Sequence, residues 1–258
     1  MGSYAAALLS PVEPSPVSVK RGKGQSPFLL TCDHAGRQTP ERLGRLGLPE
    51  TELDRHIAWD IGIAATSRIL AEALDATLIE QRYSRLVIDC NRPPDAPSSI
   101  PQLSETTTVP GNLGLTGDER EARLAEIFRP YHDRIAAEID RRVAERQPPV
   151  LVAMHSFTPV YKGEARPWHI GTLYGRDNRL AKALYERLLS EERFTVGDNE
   201  PYAVSDECDY TIPVHGERRG LIHVGIEIRQ DLITTTDGQA EWAGILGRLL
   251  PGALAGIA

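Results

Sequence analysis

Two histidines stand directly after short apolar runs. His34 follows Phe28-Leu29-Leu30-Thr31-Cys32-Asp33, and His155 follows Val150-Leu151-Val152-Ala153-Met154. A catalytic zinc takes about three protein ligands and keeps one position for water, so a third donor is needed beside these imidazoles. Asp60 is the first choice. Ile57, Asp60, Ile61 and Ala64 fall at i, i+3, i+4 and i+7, which puts the carboxylate on the apolar face of an expected helix, where it needs a partner or a metal. A pairing with His56 on that face is the plain alternative for Asp60, and Asp33 and Glu41 are rival ligands nearer to His34. Glu227, alone in Val224-Gly225-Ile226-Glu227-Ile228, is a carboxylate in an apolar strand. Such a group has a raised pKa or a strong partner, Arg229 being one, and is suited to general acid/base work. Arg85, Asn91 and Arg92 offer planar donors for a carboxylate or a developing oxyanion. There is no GxSxG elbow, and Ser156, directly after His155, lacks a reason for activation as a nucleophile; it is counted among the substrate-binding groups. Neither a GxGxxG loop nor a P-loop is present.

These side chains need elements to bring them together. Residues 27–32 and 149–154 read as buried strands, as do 76–80, 85–90, 170–174 and 221–228. Helices are expected over 50–75, 118–146, 178–189 and 239–250. Strands alternating with helices predict a three-layer α/β/α domain on a mostly parallel sheet. In open sheets of that kind, polar groups at the carboxyl ends of neighbouring strands converge on one edge. His34, the pair Asn91 and Arg92, and His155 would meet there. Residues 93–116 hold many Pro, Ser, Thr and Gly and read as a long functional loop. Residues 1–25 read as an extended N-terminal arm, with one domain over 26–258.

Composition limits the partners. The chain has 258 residues, 41% hydrophobic and 25% charged, as expected of a folded soluble protein. With 29 Lys plus Arg against 36 Asp plus Glu, the formal net charge of −7 argues against nonspecific nucleic-acid binding, which relies on surplus positive charge. A small-molecule carboxylate partner, met by local arginines, is the expectation. The apolar stretch at residues 4–9 is too short for a membrane span and has no basic residues before it, so neither a membrane anchor nor a signal peptide is expected. Three cysteines without CxxC spacing predict a reducing compartment, the cytoplasm by default. Oligomeric state leaves no mark in the sequence.

Asp33-His34-Ala35-Gly36 with Pro40, Trp59-Asp60, Tyr83-Ser84-Arg85-Leu86-Val87-Ile88-Asp89-Cys90-Asn91-Arg92, Met154-His155-Ser156 and the segment from His223 to Glu227 occur in this order. In that order they resemble the N-formylglutamate amidohydrolase family, and Asn199-Glu200-Pro201-Tyr202 resembles its shorter branch. The resemblance spans roughly residues 27–250. It implies a phosphorylase/hydrolase-like α/β/α fold related to zinc carboxypeptidases and aspartoacylases, with one zinc per chain. It also implies cleavage of the N-acyl amide of a small acyl amino acid, N-formyl-L-glutamate being the first substrate to try. Other N-acyl or carboxypeptidase-like hydrolysis, or carboxylate binding without turnover, are the rival readings. By the same resemblance His34 and His155 would be metal ligands, Glu227 the catalytic carboxylate, Asn91 with Arg92 the clamp for the α-carboxylate, and Arg85 the group that polarises the scissile carbonyl. The chain departs from the related patterns in three places. Arg37 stands where an HxxE ligand motif has its Glu, Asp60 follows Trp59 where histidine-degradation deformylases have a His, and their glycine-rich NGRFKGG-type stretch is absent.

Overall fold

A computed structural model describes residues 7–257. Its strands are β1 (Val17–Lys20), β2 (Phe28–Cys32), β3 (Thr77–Gln81), β4 (Leu103–Ser104), β5 (Thr107–Thr108), β6 (Val150–Phe157), β7 (Val160–Tyr161), β8 (Glu164–Ala165), β9 (Ile170–Leu173), β10 (Val196–Asp198) and β11 (His223–Arg229). β4 with β5 and β7 with β8 are two-stranded hairpins, and the other seven make one sheet in the order β1-β3-β2-β6-β11-β9-β10. β1 against β3 and β9 against β11 are antiparallel, while the remaining neighbours are parallel.

Side chains alternate across a strand, so each central strand serves two cores. Leu30, Leu78, Val152 and Val224 face α2 (Ile63–Leu74), α5 (Arg179–Leu189) and α6 (Thr236–Ala255). Leu29, Ile79 and Leu151 face the opposite layer, led by Tyr131, Ile135 and Ile139 of α4 (Arg129–Ala144). Both faces are covered, which is why these strands read as continuous apolar runs and why the expected three layers are found.

The sheet bears out the strands expected at 27–32, 76–80, 149–154, 170–174 and 221–228, but two other expectations fail locally. The helix expected over 50–75 is broken into α1 (Glu50–Leu53) and α2, with turns between. The break is enforced at Gly62: its φ is +80°, and a Cβ there would lie 2.1 Å from the Ile233 carbonyl oxygen. Residues 85–90 are not a strand. Ser84 Oγ donates to the Ala58 carbonyl at 2.7 Å, and Val87 N–H donates back to the Ser84 carbonyl at 2.9 Å, so the chain turns. Leu86, Val87 and Ile88 are buried all round in that turn, and an apolar run alone cannot tell such a turn from a strand. The long helix is present as α3 (Gly117–Arg123) and α4 joined by one π turn.

The segment read as an N-terminal arm is extended over β1, yet it belongs to the sheet edge. Leu8 is buried, and the N–H groups of Leu8 and Leu9 donate to the Glu126 carboxylate at 2.7 and 2.8 Å. Residues 1–6 of that segment lie outside the described residues.

Candidate metal centre and substrate cavity

β2, β6 and β11 are adjacent and parallel, so their carboxyl ends lie side by side. His34 stands two residues beyond β2, and His155 and Glu227 are paired in register on β6 and β11. Asp60 joins them from the turn before α2, with its N–H donating to the His34 carbonyl at 3.1 Å. It is therefore at the site through that turn and Gly62, not through a helix face. Asp60 Oδ2 lies 3.4 Å from His34 Nδ1 and 3.2 Å from His155 Nδ1.

Each imidazole is held from behind. His34 Nε2 is 2.7 Å from Asp89 Oδ1, and His155 Nε2 is 3.2 Å from Asp33 Oδ2. A proton on His34 Nε2 satisfies Asp89, and one on His155 Nε2 faces the otherwise unpartnered Asp33 Oδ2; each then turns an unprotonated Nδ1 toward Asp60, the arrangement that fixes a metal-binding tautomer. Asp33 thus stands behind His155 and outside the His34, Asp60 and His155 group; its Oδ1 accepts from Tyr131 Oη at 2.7 Å and Thr211 Oγ1 at 2.8 Å. Glu41, the other alternative, is exposed and away from the cavity.

The electrostatics call for a cation. Burial opposes ionisation of Asp33, yet the hydrogen bond and charge of His155 hold its carboxyl at about 2. Burial likewise opposes ionisation of Asp60 and Asp89, but His34 and His155 pull the first down, and Arg85 with His34 pulls the second well below the usual carboxylate range. Of these three buried carboxylates, Asp60 and Asp89 share the Arg85 guanidinium, and Asp33 has none. The remaining charge falls on the imidazoles: burial disfavours a proton on His155, but Asp33 and Asp60 outweigh it and raise its pKa well above the usual value. A divalent ion supplies the same positive charge without protonation. The ligand atoms of His34, Asp60 and His155 all lie within 4.8 Å of one another. Donors about 2.1 Å from a tetrahedral zinc stand about 3.4 Å apart, so the donor set and its spacing fit.

Glu227 is beside this group. Burial pushes its carboxyl up to about 7, with His155 opposing and Asp60 adding to the rise. Its Oε2 is buried without a hydrogen-bond partner among the described residues. Arg229, the alternative ion-pair partner for Glu227, instead pairs with Asp231 at 2.8 Å.

A cavity of about 500 Å³ opens on these residues. Ala153 and Gly225 line it from the central strands, and Ser98, Pro101, Leu103, Ser104 and Glu105 line it from the expected long loop. Arg85 lines it and is tied by Nη2 to Asp89 Oδ2 at 2.6 Å, with Nη1 3.3 Å from Asp60 Oδ1. Arg92 also lines it, donating to the Asn91 and Cys208 carbonyls and lying 3.9 Å from Asp209. Asn91 and Ser156 line the cavity too, but their side chains are already engaged. Asn91 donates to Asp209 at 3.0 Å and accepts from the Tyr210 and Thr211 N–H groups, so its amide anchors a loop. Ser156 Oγ donates to the Ile61 carbonyl at 2.9 Å, and its N–H donates to Asp60 Oδ2 at 3.1 Å, so it fixes the Asp60 turn. Both residues thus line the cavity while their side chains hold neighbouring segments of the chain.

Sequence reasoning gave no role to Asp89, Tyr131, Thr211 or Tyr202. Asp89 had a readable signal, a charge directly after the apolar Leu86-Val87-Ile88. Tyr202 reaches the cavity because β9 has Gly171, where a Cβ would stand 1.8 Å from the Glu200 carbonyl oxygen.

The family model for N-formylglutamate amidohydrolase matches residues 26–234. The chain belongs to that family. Two curated relatives are the N-formylglutamate deformylases of Pseudomonas putida, 29% identical over 59% of this chain and 61% of that one, and Pseudomonas aeruginosa, 31% identical over 62% and 63%. The chain therefore spans about three fifths of the length of the curated relatives it matches. Among solved structures, a gene product of Agrobacterium tumefaciens is 42% identical, with a TM-score of 0.94 over 97% of this chain and 99% of that one. The N-formylglutamate amidohydrolase of Ralstonia eutropha has the same fold, with a TM-score of 0.69 at 20% identity over 94% and 98%. Among the described residues no helix is long and apolar enough to cross a membrane.

Proposed function

We propose that this family member hydrolyses N-formyl-L-glutamate to L-glutamate and formate in the cytoplasm, with a zinc ion held by His34, Asp60 and His155. The observation that carries the reading is the Glu227 carboxyl, in register with His155 and with an unpartnered Oε2 next to the candidate metal ligands. Bound zinc supplies Lewis acidity and lowers the pKa of water to about 7. Water adds to the formyl carbon and gives its proton to Glu227. The C–N bond then breaks, and Glu227 returns that proton to the departing amine, so that formate and the free amino acid leave.

The other groups position. Asp33 and Asp89 hold the two imidazoles from their Nε2 sides. Arg85, fixed by Asp89, presents its guanidinium to the oxygen that gains charge. Arg92 binds the substrate's α-carboxylate, and Asn91 steadies the loop beside it. Fixing one carboxylate sets the distance to the amide, which is how a small substrate is held in a reactive pose.

The test is glutamate and formate release from N-formyl-L-glutamate by zinc-loaded protein, beside Glu227→Gln. Loss of the general base is expected to lower kcat about 10²- to 10⁴-fold while zinc content is unchanged. Near-normal turnover by the variant would remove Glu227 from the mechanism, and no turnover by the wild type would remove the substrate.

A further inference from the structure

One arginine beside the cavity's aromatic residues has no acidic partner among the described residues. Arg85 is paired with Asp89 and Asp60, and Arg92 lies near Asp209. Arg166, which follows the β7–β8 hairpin, has no carboxylate within ion-pair distance among the described residues. Its Cζ stands 4.7 Å from the Tyr161 ring, 4.8 Å from Tyr202 and 5.9 Å from Phe157, all three being cavity-lining residues. Its side chain makes one hydrogen bond, from Nη1 to Tyr202 Oη at 2.8 Å. Its main chain is fixed, the N–H donating to the Pro159 carbonyl at 2.8 Å and the carbonyl facing Arg229.

Rings pack on the faces of a guanidinium and leave its edge, where the N–H donors lie, open to a carboxylate. A carboxylate meeting that edge would form a charge-assisted pair with it. We infer that Arg166, seated among Tyr161, Tyr202 and Phe157, binds the side-chain carboxylate of the substrate and so selects acidic N-acyl amino acids. The inference rests on the hydrolase reading above: with Arg92 on the α-carboxylate, a dicarboxylate has two anionic ends to place, and Arg166, packed on three cavity-lining rings, has no acidic partner among the described residues. Tyr202, bonded to Arg166, orients the guanidinium.

The test compares N-formyl-L-glutamate with N-formyl-L-glutamine, which is isosteric and uncharged at the far end. A hydrogen bond to a charged group contributes about 1.5–3 kcal/mol, or about 10- to 100-fold. The kcat/KM ratio of glutamate over glutamine substrate is therefore expected to fall about 10- to 100-fold in Arg166→Met and to be partly kept in Arg166→Lys. A merely structural role lowers both rates together and leaves the ratio unchanged, which would overturn the assignment. Calorimetry with L-glutamate and L-glutamine supplies a second readout on the same proteins. A wild type that prefers L-glutamate but hydrolyses neither formyl substrate would refute the deformylase reading while supporting Arg166. A wild type with no preference between the two amino acids would overturn Arg166 whatever its catalysis.

Discussion

The role given to Asp33 can be tested without touching a metal ligand. In Asp33→Asn the side chain keeps its shape, and its Oδ1 can still accept from Tyr131 and Thr211, at 2.7 and 2.8 Å in the wild type. That choice leaves the amide NH₂ facing His155 Nε2, where the carboxylate Oδ2 now stands at 3.2 Å. Two donors cannot share that contact, so the His155 proton moves to Nδ1, the atom aimed at Asp60 and the proposed ion. Binding a cation then requires the proton to leave or the amide to flip, and a flip would set its NH₂ against two hydroxyl donors. Losing a partner of this kind costs about 10- to 100-fold in metal affinity, or about 1.4–2.7 kcal/mol. Zinc affinity measured by competition with a chromophoric chelator at neutral pH reads this directly, with circular dichroism and thermal melting of the zinc-free proteins as the check on folding. A folded Asp33→Asn protein that binds zinc within twofold of wild type would refute the argument that Asp33 sets the His155 tautomer.

Two further outcomes follow from groups outside the cation's immediate contacts. Ser156→Ala removes the 2.9 Å bond to the Ile61 carbonyl but keeps the N–H on Asp60, so a stability loss of about 1 kcal/mol is expected in denaturant unfolding, with no rise in KM; a large rise in KM would return Ser156 to the substrate. His132 and His215 are 3.0 Å apart and buried; burial first, aided for His215 by the charges of His132 and Arg219, depresses their pKa values to about 4 and about 3. Because the folded values lie below the unfolded value of about 6.5, their stabilisation is complete above that pH and is lost as pH falls toward 4 and then 3. The difference in unfolding midpoint between wild type and His215→Gln is therefore expected to shrink over that window, and a constant difference would count against a neutral buried pair.

Much of the site was readable because its chemistry is unusual in an apolar setting. His34, His155 and Glu227 stood out as polar residues against runs of Leu, Val and Ile, and the sheet places them on adjacent strands. Asp60 was picked for a helical spacing that the chain does not adopt, and the residue is still at the centre. What the spacing registered was burial, common to a helix face and to a tight turn. The block at residues 83–92 failed in the opposite way: its motif was the most specific in the chain, but its apolar middle suggested a strand where there is a buried turn. That turn brings Arg85 and Asp89 together as an ion pair, whereas in a strand residues four apart share a face but stand about 13 Å from each other.

By itself the sequence determined the layers of the fold, the family signature and the types of group at the site, because apolar periodicity and lone buried charges are local properties of the chain. The tertiary structure decided which of these groups touch. Asp33 stands behind His155 because the Nε2 side of that ring faces it, while the Nδ1 side faces Asp60. Asn91 and Ser156 were drawn into holding loops by carbonyl and N–H groups distant in sequence, and Arg166 was set among three aromatic rings. Hydrogen bonds and charge pairs act over a few ångströms between residues up to 178 positions apart, as between Thr211 and Asp33, and no spacing along the chain encodes that meeting.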